Sequence, residues 1–532
     1  MNLKYRNISL SLGNIINNDN SLLCLLYFIS YGLILFNKGI FWDGWILCNA
    51  NKDIITVIFH ESGAFLGIRG IIHNFFLSFN NILLYRITCF LAYLISAILL
   101  NKILKNVKEI TSTARFFIVL IFALFPVNSA RIALINIPTS IFFLLFFLGF
   151  WLITKFIEKK NIVTRIVALC FLFLSFNTYS ILVFYSLVIL YLIYISSTRN
   201  KSLFTIIKDL MHYTDFIVMP VVYWLIRNIF YKPSGAYEGY NSITLQKLIQ
   251  TPSMLIQTFN SSFLEIFRII IGFSILNIIG AIIIMFCLQN KTEEQSKIKN
   301  DILLFFLGIF SFIAGVFPYV SVGLFPCLYD WDSRHQLLVP LGAGFIIYYG
   351  LKLIIDSLRL DRKIHILLCS VLIALFINMN FRNCIEYQMD WYKQVSLIEN
   401  FKASTEITDH TTFLFEDHTP NAKGRSYRPY EYAGLMKYAF GNEERFGMDI
   451  NAFKGTNSFT PFIGEANITK DYKIREPEYK IIIEQGNYYN FYYDGIINRI
   501  FKTFKLMFLE YFSPKKFREY AKQIIIFKYD KL

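Results

Sequence analysis

A short segment near the N-terminal end of the chain places an acid between two tryptophans. It reads Phe41-Trp42-Asp43-Gly44-Trp45 and comes directly after a run of apolar residues. A carboxylate at Asp43 is suited to general-base chemistry, because it can take a proton from a hydroxyl group that it contacts. The rings of Trp42 and Trp45 offer apolar faces on which a sugar could stack. The alternative is an interfacial aromatic belt with a solvated acid.

A second segment, residues 329–340 with the sequence YDWDSRHQLLVP, brings acids and an arginine to the start of a later apolar run. Arg334 lies where this segment enters the run, and a cation there is costly unless it is paired or faces a cavity. Because guanidinium matches phosphate in charge and geometry, Arg334 is a candidate phosphate ligand. Asp330 and Asp332 are candidate substrate contacts. The alternative is that Arg334 pairs with one of these acids or contacts lipid headgroups.

Further candidate substrate contacts lie near the ends of other apolar runs. Arg131 closes the polar sequence NSAR after the third run, and His60, Glu61 and Arg69 follow the first. His60 and Glu61 lack a second histidine at metalloprotease spacing, so zinc hydrolysis is not supported and no metal site is predicted. Arg69 and His73 are four residues apart and would share a helix face. That face could bind an anion or be solvated.

The composition is that of a chain embedded in a membrane. Of its 532 residues, 55% are hydrophobic and 17% are charged, and the mean hydropathy is +0.47. A soluble domain carries about 25% charged residues, and about 20 apolar residues are needed to cross the bilayer core. We therefore predict a multi-pass α-helical membrane protein with about eleven transmembrane helices. Their approximate bounds are 21–40, 81–104, 116–128, 138–157, 162–177, 179–196, 214–231, 264–288, 302–322, 335–355 and 364–380.

Lysine and arginine are shared unequally between alternate loops. One set of short loops is strongly basic, and the opposite set carries few cations over longer stretches. The positive-inside rule then places the N-terminus in the cytoplasm. With an odd number of spans, residues 381–532 lie outside the membrane. The same orientation brings Asp43, Arg131 and Arg334 to the outer face.

Three regions follow from this topology: a cytoplasmic segment (1–20), a transmembrane module (21–380) and an extracytoplasmic soluble domain (381–532). The outer loops 41–80 and 232–263 are long enough to build a site. In the last region helical and strand patterns alternate, which predicts a small α/β or α+β domain. Its predicted elements are helices at 386–403 and 430–440 and strands at 412–416, 479–484 and 524–529.

The net charge of +15 does not point to nucleic acid. Residues 381–532 hold 22 Lys+Arg and 20 Asp+Glu, so most of the excess lies in the hydrophobic region, where it signals orientation and lipid contact. No soluble basic stripe is present. The P-loop, GxGxxG and GxSxG motifs are absent, which removes support for an ATPase, a Rossmann enzyme or a serine hydrolase. The eight cysteines show no CxxC or other metal-binding spacing.

This arrangement resembles that of the GT-C superfamily of membrane glycosyltransferases, which take sugars from polyprenyl-phosphate carriers. An acid, here Asp43, follows the first span in a long outer loop. The stretch R-[YH]-x-L-L-x-P, here Arg334 to Pro340, opens a late span, and an extracytoplasmic domain follows the last. The resemblance covers residues 20–380. His335 stands where many bacterial members have tyrosine, and no second acid lies next to Asp43.

The resemblance implies an inverting sugar transfer at the outer face of the cell (inner/plasma) membrane. Asp43 would be the base that deprotonates the acceptor hydroxyl of a glycan, lipid or protein. Arg334 would offset charge on the leaving polyprenyl phosphate, and a second acid, if used, would be Asp330 or Asp332. Many members need no metal, and no cofactor is expected to be required. The expected partners are a polyprenyl-phosphate-linked sugar donor, the acceptor and the lipid bilayer.

Three alternatives remain open at this point. A polymerase or ligase of lipid-linked glycans shares the topology but relies less on an acid in the first loop. A transporter or flippase would carry charged or broken segments at mid-membrane and a twofold pattern between halves. A non-enzymatic scaffold would use the spans only to present residues 381–532.

Overall fold

The protein, described here from a computed structural model, is built mainly of α-helices. The structure describes residues 18–199, 202–239, 241–270, 275–288, 296–456, 474–488 and 495–532. Within these ranges, seven helices are long and apolar enough to cross a membrane, in agreement with a helical membrane protein. They are Asp19–Phe36, Ile82–Leu104, Leu134–Lys159, Ser180–Arg199, Ile298–Val320, Val339–Ser357 and Arg362–Ala403.

Shorter helices occupy most of the other predicted spans, so the count of about eleven stays a prediction. Three of the shorter helices are apolar: Ser112–Leu124 and Ile162–Ser175 lie at predicted spans, and Phe65–Leu77 lies in the predicted loop 41–80. The other helices described before residue 362 are Gly44–Asn49, Lys52–Glu61, Leu203–Leu210, Thr214–Phe230, Leu245–Phe259, Glu265–Ile270 and Ile275–Leu288. The predicted interruption at residues 175–178 is confirmed, because a turn separates Ile162–Ser175 from the helix that begins at Ser180.

One predicted span boundary was wrong in a way that matters for the site. The span predicted at 335–355 begins as a helix only at Val339, with Pro340 in its first turn, where a missing backbone N–H costs nothing. The preceding residues Trp331–Gln336 form a separate 3₁₀ turn. Arg334 therefore lies in this turn, before the helix begins, and the prediction also placed it before the helix.

Glycines let two candidate spans approach closely. Where Ile298–Val320 packs on Val339–Ser357, a Cβ on Gly342 would lie 2.5 Å from the backbone nitrogen of Phe312, and one on Gly308 would lie 2.7 Å from the Phe345 side chain. Helices in a membrane associate through such van der Waals contact, because no hydrophobic driving force acts between them in lipid. This tight pair holds the ends of the connection that carries Arg334.

The last candidate span continues without a break into the C-terminal region. We predicted a span at 364–380 and a separate helix at 386–403, but the structure has a single helix, Arg362–Ala403, of 42 residues. At 1.5 Å per residue it is about 63 Å long, roughly twice the thickness of the bilayer core. Its second half is buried by residues that follow it in sequence. We refer to it below as the long helix.

Four strands form one mixed sheet beyond the long helix. They are β1 (Thr412–Asp417), β2 (Phe446–Asp449), β3 (Tyr479–Gln485) and β4 (Ile525–Lys531), in the order β2-β1-β3-β4. β1 is parallel to β2 and β3, and β4 is antiparallel to β3. The described helices around the sheet are Thr405–Asp409, Pro429–Phe440, Ile450–Thr456, Ile496–Phe512 and Pro514–Lys522. The predicted elements at 412–416, 430–440, 479–484 and 524–529 agree with this within two residues at each end.

The chain that follows the first candidate span is fastened to the long helix. The Asn37 amide donates to the carbonyl of Tyr387 at 2.9 Å, and Gln394 bonds both the N–H and the carbonyl of Ile40. Gly434 of the Pro429–Phe440 helix packs against Trp45 so closely that a Cβ there would lie 2.4 Å from the indole ring. Loop 41–80 and the C-terminal region are therefore packed against each other.

We expect Gly434→Ala to destabilise this contact by about 1–3 kcal/mol, the usual cost of overpacking a filled core. The measurement is thermal unfolding of the purified protein in detergent, followed by tryptophan fluorescence. Gly495→Ala is the matched control, since a Cβ at Gly495 meets no atom within 4 Å. Equal stability of the two variants would contradict the packing described here.

Candidate functional site

The two segments singled out by their charge and tryptophans are in direct contact. The indole N–H of Trp42 donates to the Asp330 carboxylate at 2.9 Å, and the rings of Trp42 and Trp331 lie 5.3 Å apart. The segment that carries Arg131 joins them, because Ser333 Oγ accepts a hydrogen bond from the Ala130 N–H at 2.9 Å. Three stretches that are distant in sequence thus form one continuous surface, which we call the candidate site.

The backbone is strained at one residue in each of these stretches. Trp42, Asn128 and Asp330 have φ values of 47°, 55° and 48°, in the left-handed region that non-glycine residues rarely adopt. Such conformations cost about 1–3 kcal/mol each and persist only where the surroundings fix them. Contacts between the three stretches hold these conformations in place.

Asp43 is half-buried and bonded to the C-terminal region. The Tyr430 hydroxyl donates to Asp43 Oδ1 at 2.5 Å. Burial and the neighbouring Asp43 carboxylate raise the pKa of Tyr430 well above its usual value, so this hydroxyl keeps its proton and remains a donor. One carboxylate oxygen of Asp43 is therefore engaged, and the geometry of this acid is set by a residue 387 positions away.

The rings of Trp42 and Trp45 do not present open faces for a sugar. Trp42 is 0% and Trp45 is 3% exposed, because both rings are packed against other parts of the protein. The half-buried Trp331 is the ring at the surface of the candidate site, and it was not among the predicted residues. A local sequence pattern shows that tryptophans are present but not which way each ring turns.

Arg334 lies on this exposed ring. Its guanidinium is 4.2 Å from the ring centre of Trp331 and donates to the Trp331 carbonyl at 2.9 Å. Asp332 lies 3.6 Å away on the solvent side. Arg334 is thus oriented by its own turn, and an exposed carboxylate screens it only in part.

Arg69 and His73 point into the protein, so the solvated-face interpretation was wrong. Arg69 donates to the carbonyl of Asn177 at 2.7 Å, and burial lowers its pKa. His73 is fully buried and stacks on Phe59 at 5.0 Å. Among the described residues, neither side chain makes a hydrogen bond or a ring contact with Asp43.

His60 and Glu61 lie in the same loop but face elsewhere. His60 is exposed, and the Glu61 carbonyl accepts from the Ser234 N–H at 2.9 Å. A Cβ on Gly235 would lie 2.9 Å from the Glu61 carboxylate. These contacts join loops 41–80 and 232–263, so Glu61 is a loop-packing residue here.

Two buried arginines organise the remaining wall. Arg86 donates to the carbonyls of Asn37, Gly39 and Ile132, and so orders the chain on both sides of the candidate site. It lies inside a predicted span, where sequence alone marks it only as a costly charge. Arg131 is 9% exposed and lies between two tyrosine rings, with its guanidinium 3.5 Å from the ring centre of Tyr31.

A buried ion network fixes the first outer loop to the C-terminal region. Arg425 donates to Asp390 of the long helix at 2.5 Å and to Glu431 at 2.7 Å, and all three side chains are at most 1% exposed. Glu431 also accepts the backbone N–H of Trp42 at 3.1 Å. No local sequence signal marks this network, since its members are far apart along the chain.

Within the described ranges, no group of three or more His, Cys, Asp or Glu side chains is arranged to hold a metal ion. No family model, curated protein or solved structure matches this chain. The resemblance to the GT-C superfamily therefore stays an expectation from motifs and topology, and the function has to be argued from the candidate site itself.

Acid should destabilise the protein through His73, whose pKa is lowered to about 3 by burial and by Arg69. Between the unfolded value of about 6.5 and this folded value, the unfolded chain binds a proton that the folded chain does not. Stability therefore falls as pH falls, by up to about 1.4 kcal/mol per pH unit. In thermal unfolding between pH 7 and pH 4, His73→Leu should lose roughly 2–3 kcal/mol less than the parent. The exposed His60→Leu is the control, and an unchanged acid sensitivity of His73→Leu would refute this origin.

Arg425→Met should cost about 3–5 kcal/mol, because it leaves two buried carboxylates without a cation. Combining it with Asp390→Asn and Glu431→Gln should recover part of the loss, since no buried charge then lacks a partner. Thermal unfolding of both proteins tests this expectation. Simple addition of the three single-variant effects would show that the residues do not act as one network.

Proposed function

We propose that this protein is a membrane glycosyltransferase that moves a sugar from a polyprenyl-phosphate carrier to a hydroxyl acceptor. The single observation that carries the proposal is the hydrogen bond from Trp42 to Asp330. It joins the segment of Asp43, a candidate base, to the turn of Arg334, a candidate phosphate ligand. An acid and a cation on one surface are what displacement of a phosphate by a hydroxyl requires.

The topology completes the proposal. About eleven spans, a cytoplasmic N-terminus and an external residue range 381–532 would place the candidate site at the outer face of the cell membrane. The contact between loops 41–80 and 232–263 supports this arrangement, because both loops are assigned to the same side. So does the Tyr430–Asp43 hydrogen bond, which needs the C-terminal region and the first loop on one side of the bilayer.

The proposed reaction is a single inverting displacement. Asp43 takes the proton of the acceptor hydroxyl through the carboxylate oxygen that Tyr430 does not engage. The acceptor oxygen forms a bond to the anomeric carbon while the bond from that carbon to the phosphate oxygen breaks. The electron pair stays on the phosphate, whose added charge Arg334 offsets in the transition state.

Variants at the two proposed roles test the function in membranes supplied with a polyprenyl-phosphate sugar. Asp43→Asn should lower transfer by about 10²–10⁴-fold, the usual contribution of a general base. Arg334→Gln should lower it by about 10²–10³-fold, with the larger effect on kcat. Asp53→Asn and Arg268→Gln are the controls, since both side chains are exposed.

The pattern of loss also separates the proposal from its nearest rival. Loss in Arg334→Gln with full activity in Asp43→Asn would favour a polymerase or ligase of lipid-linked glycans. Full activity in both variants would refute the proposed roles.

A further inference from the structure

Arg131 is a buried cation whose guanidinium lies between two tyrosine rings. It is 9% exposed, and its guanidinium carbon lies 3.5 Å from the ring centre of Tyr31 and 5.1 Å from that of Tyr93. Among the residues that the structure describes, no hydrogen bond and no ion pair engages its guanidinium. Two ring faces hold the group in place and leave its five N–H donors unused.

The other buried arginines near the candidate site are satisfied in a different way. Arg86 donates to three backbone carbonyls, and Arg425 pairs with Asp390 and Glu431. A buried charge is costly when it is unpaired, and contact with an aromatic face returns only about 0.5–2 kcal/mol. The rings therefore leave the buried charge of Arg131 largely uncompensated, and a bound anion would compensate it.

Two small cavities of about 20 Å³ each border Arg131. The side chains of Tyr31, Ser129 and Asn383 are among those that line the first. Asn128, which adopts the left-handed conformation, is among those that line the second. Because both cavities border one guanidinium, its N–H donors can reach an anion from two sides.

We propose that Arg131 binds a phosphate group in these two cavities, either as inorganic phosphate or as the phosphodiester of a lipid headgroup. Guanidinium binds phosphate through paired hydrogen bonds, and its charge would then be compensated inside the protein. Ser129 lines the first cavity and donates to Ser333, in the turn of Arg334, at 3.1 Å. The Arg131 site is proposed as a binding site in its own right, and it does not depend on the proposed sugar transfer.

The test is thermal unfolding of the full-length protein in a maltoside detergent that contains no phosphate, with and without inorganic phosphate, and in the same detergent with added phosphatidylglycerol. Ligands that bind only the folded state raise its stability in proportion to occupancy. We expect one of the two additions to stabilise the parent protein. The addition that has no effect is then the phosphate source that the site does not use. Arg131→Gln should weaken that phosphate dependence at least about tenfold in concentration.

A second readout separates binding from a structural role. Without phosphate, Arg131→Gln should be at least as stable as the parent, because it removes an uncompensated buried charge. Arg131→Lys keeps the charge and should retain part of the response, and Arg268→Gln is the exposed control that should retain all of it. If neither addition stabilises the parent, or if Arg131→Gln responds as the parent does, the proposal is refuted. Sugar transfer is not measured here, so the result stands apart from that of the activity test.

Discussion

The geometry of the candidate site depends on the buried network of Asp390, Arg425 and Glu431. Three fully buried charged groups are tolerated only when each is paired. Loss of one partner leaves an uncompensated buried charge, which strongly destabilises the fold. The network therefore forms as a unit or not at all. Because Glu431 also binds the backbone of Trp42, formation of the network fixes the strained residue whose indole bonds to Asp330. Contacts with the C-terminal region therefore help to position loop 41–80 and the turn of Arg334, together with the helices that these segments connect.

The arginines near the site rest mainly on rings. Arg131 lies against Tyr31, Arg227 lies 3.9 Å from the ring centre of Tyr179, and Arg334 lies on Trp331. A ring orients a guanidinium without neutralising it, since the aromatic face carries only partial negative charge. This differs from the Arg425 network, where carboxylates consume the charge. The guanidinium groups of Arg131 and Arg334 are consequently held at fixed positions by rings, which is the property that the proposed binding of a phosphate requires.

Local patterns were sufficient for features that a single stretch of sequence determines. Apolar runs located the seven long helices, and the acid and arginine at run ends located Asp43 and Arg334, because charge beside lipid is a local anomaly. The alternating patterns of the C-terminal region also located three of the four strands. Features that depend on contacts between residues distant in sequence were not predicted. Examples are the burial of Trp42, the role of Arg86 and the network of Arg425.

The length of the long helix also depends on partners that are distant in sequence. Its sequence turns polar after residue 380, and a polar stretch following a span is normally where a helix leaves the bilayer and ends. It continues because Asp390 and Lys393, one turn apart on one face, find partners in Arg425 and Asp417 at 2.5 Å each. The polar residues after position 380 suggested the end of the helix, but they form its interface with another part of the chain. No single-sequence pattern contains that partner, so no local rule could extend the helix.

The Asp43 carboxylate is positioned by the same helix that contributes Glu431 to the buried ion network. Tyr430 engages one oxygen of its carboxylate, and the tyrosine adjoins Glu431, the residue that anchors Trp42. The direction in which the second oxygen points is therefore fixed by the same helix that completes the ion network. An acid held in this way needs little reorganisation when a hydroxyl arrives, which is the advantage that this positioning would give to the proposed base. It also means that the Pro429–Phe440 helix is part of the site in a physical sense. Any shift of this helix would turn Asp43 and release Trp42 together.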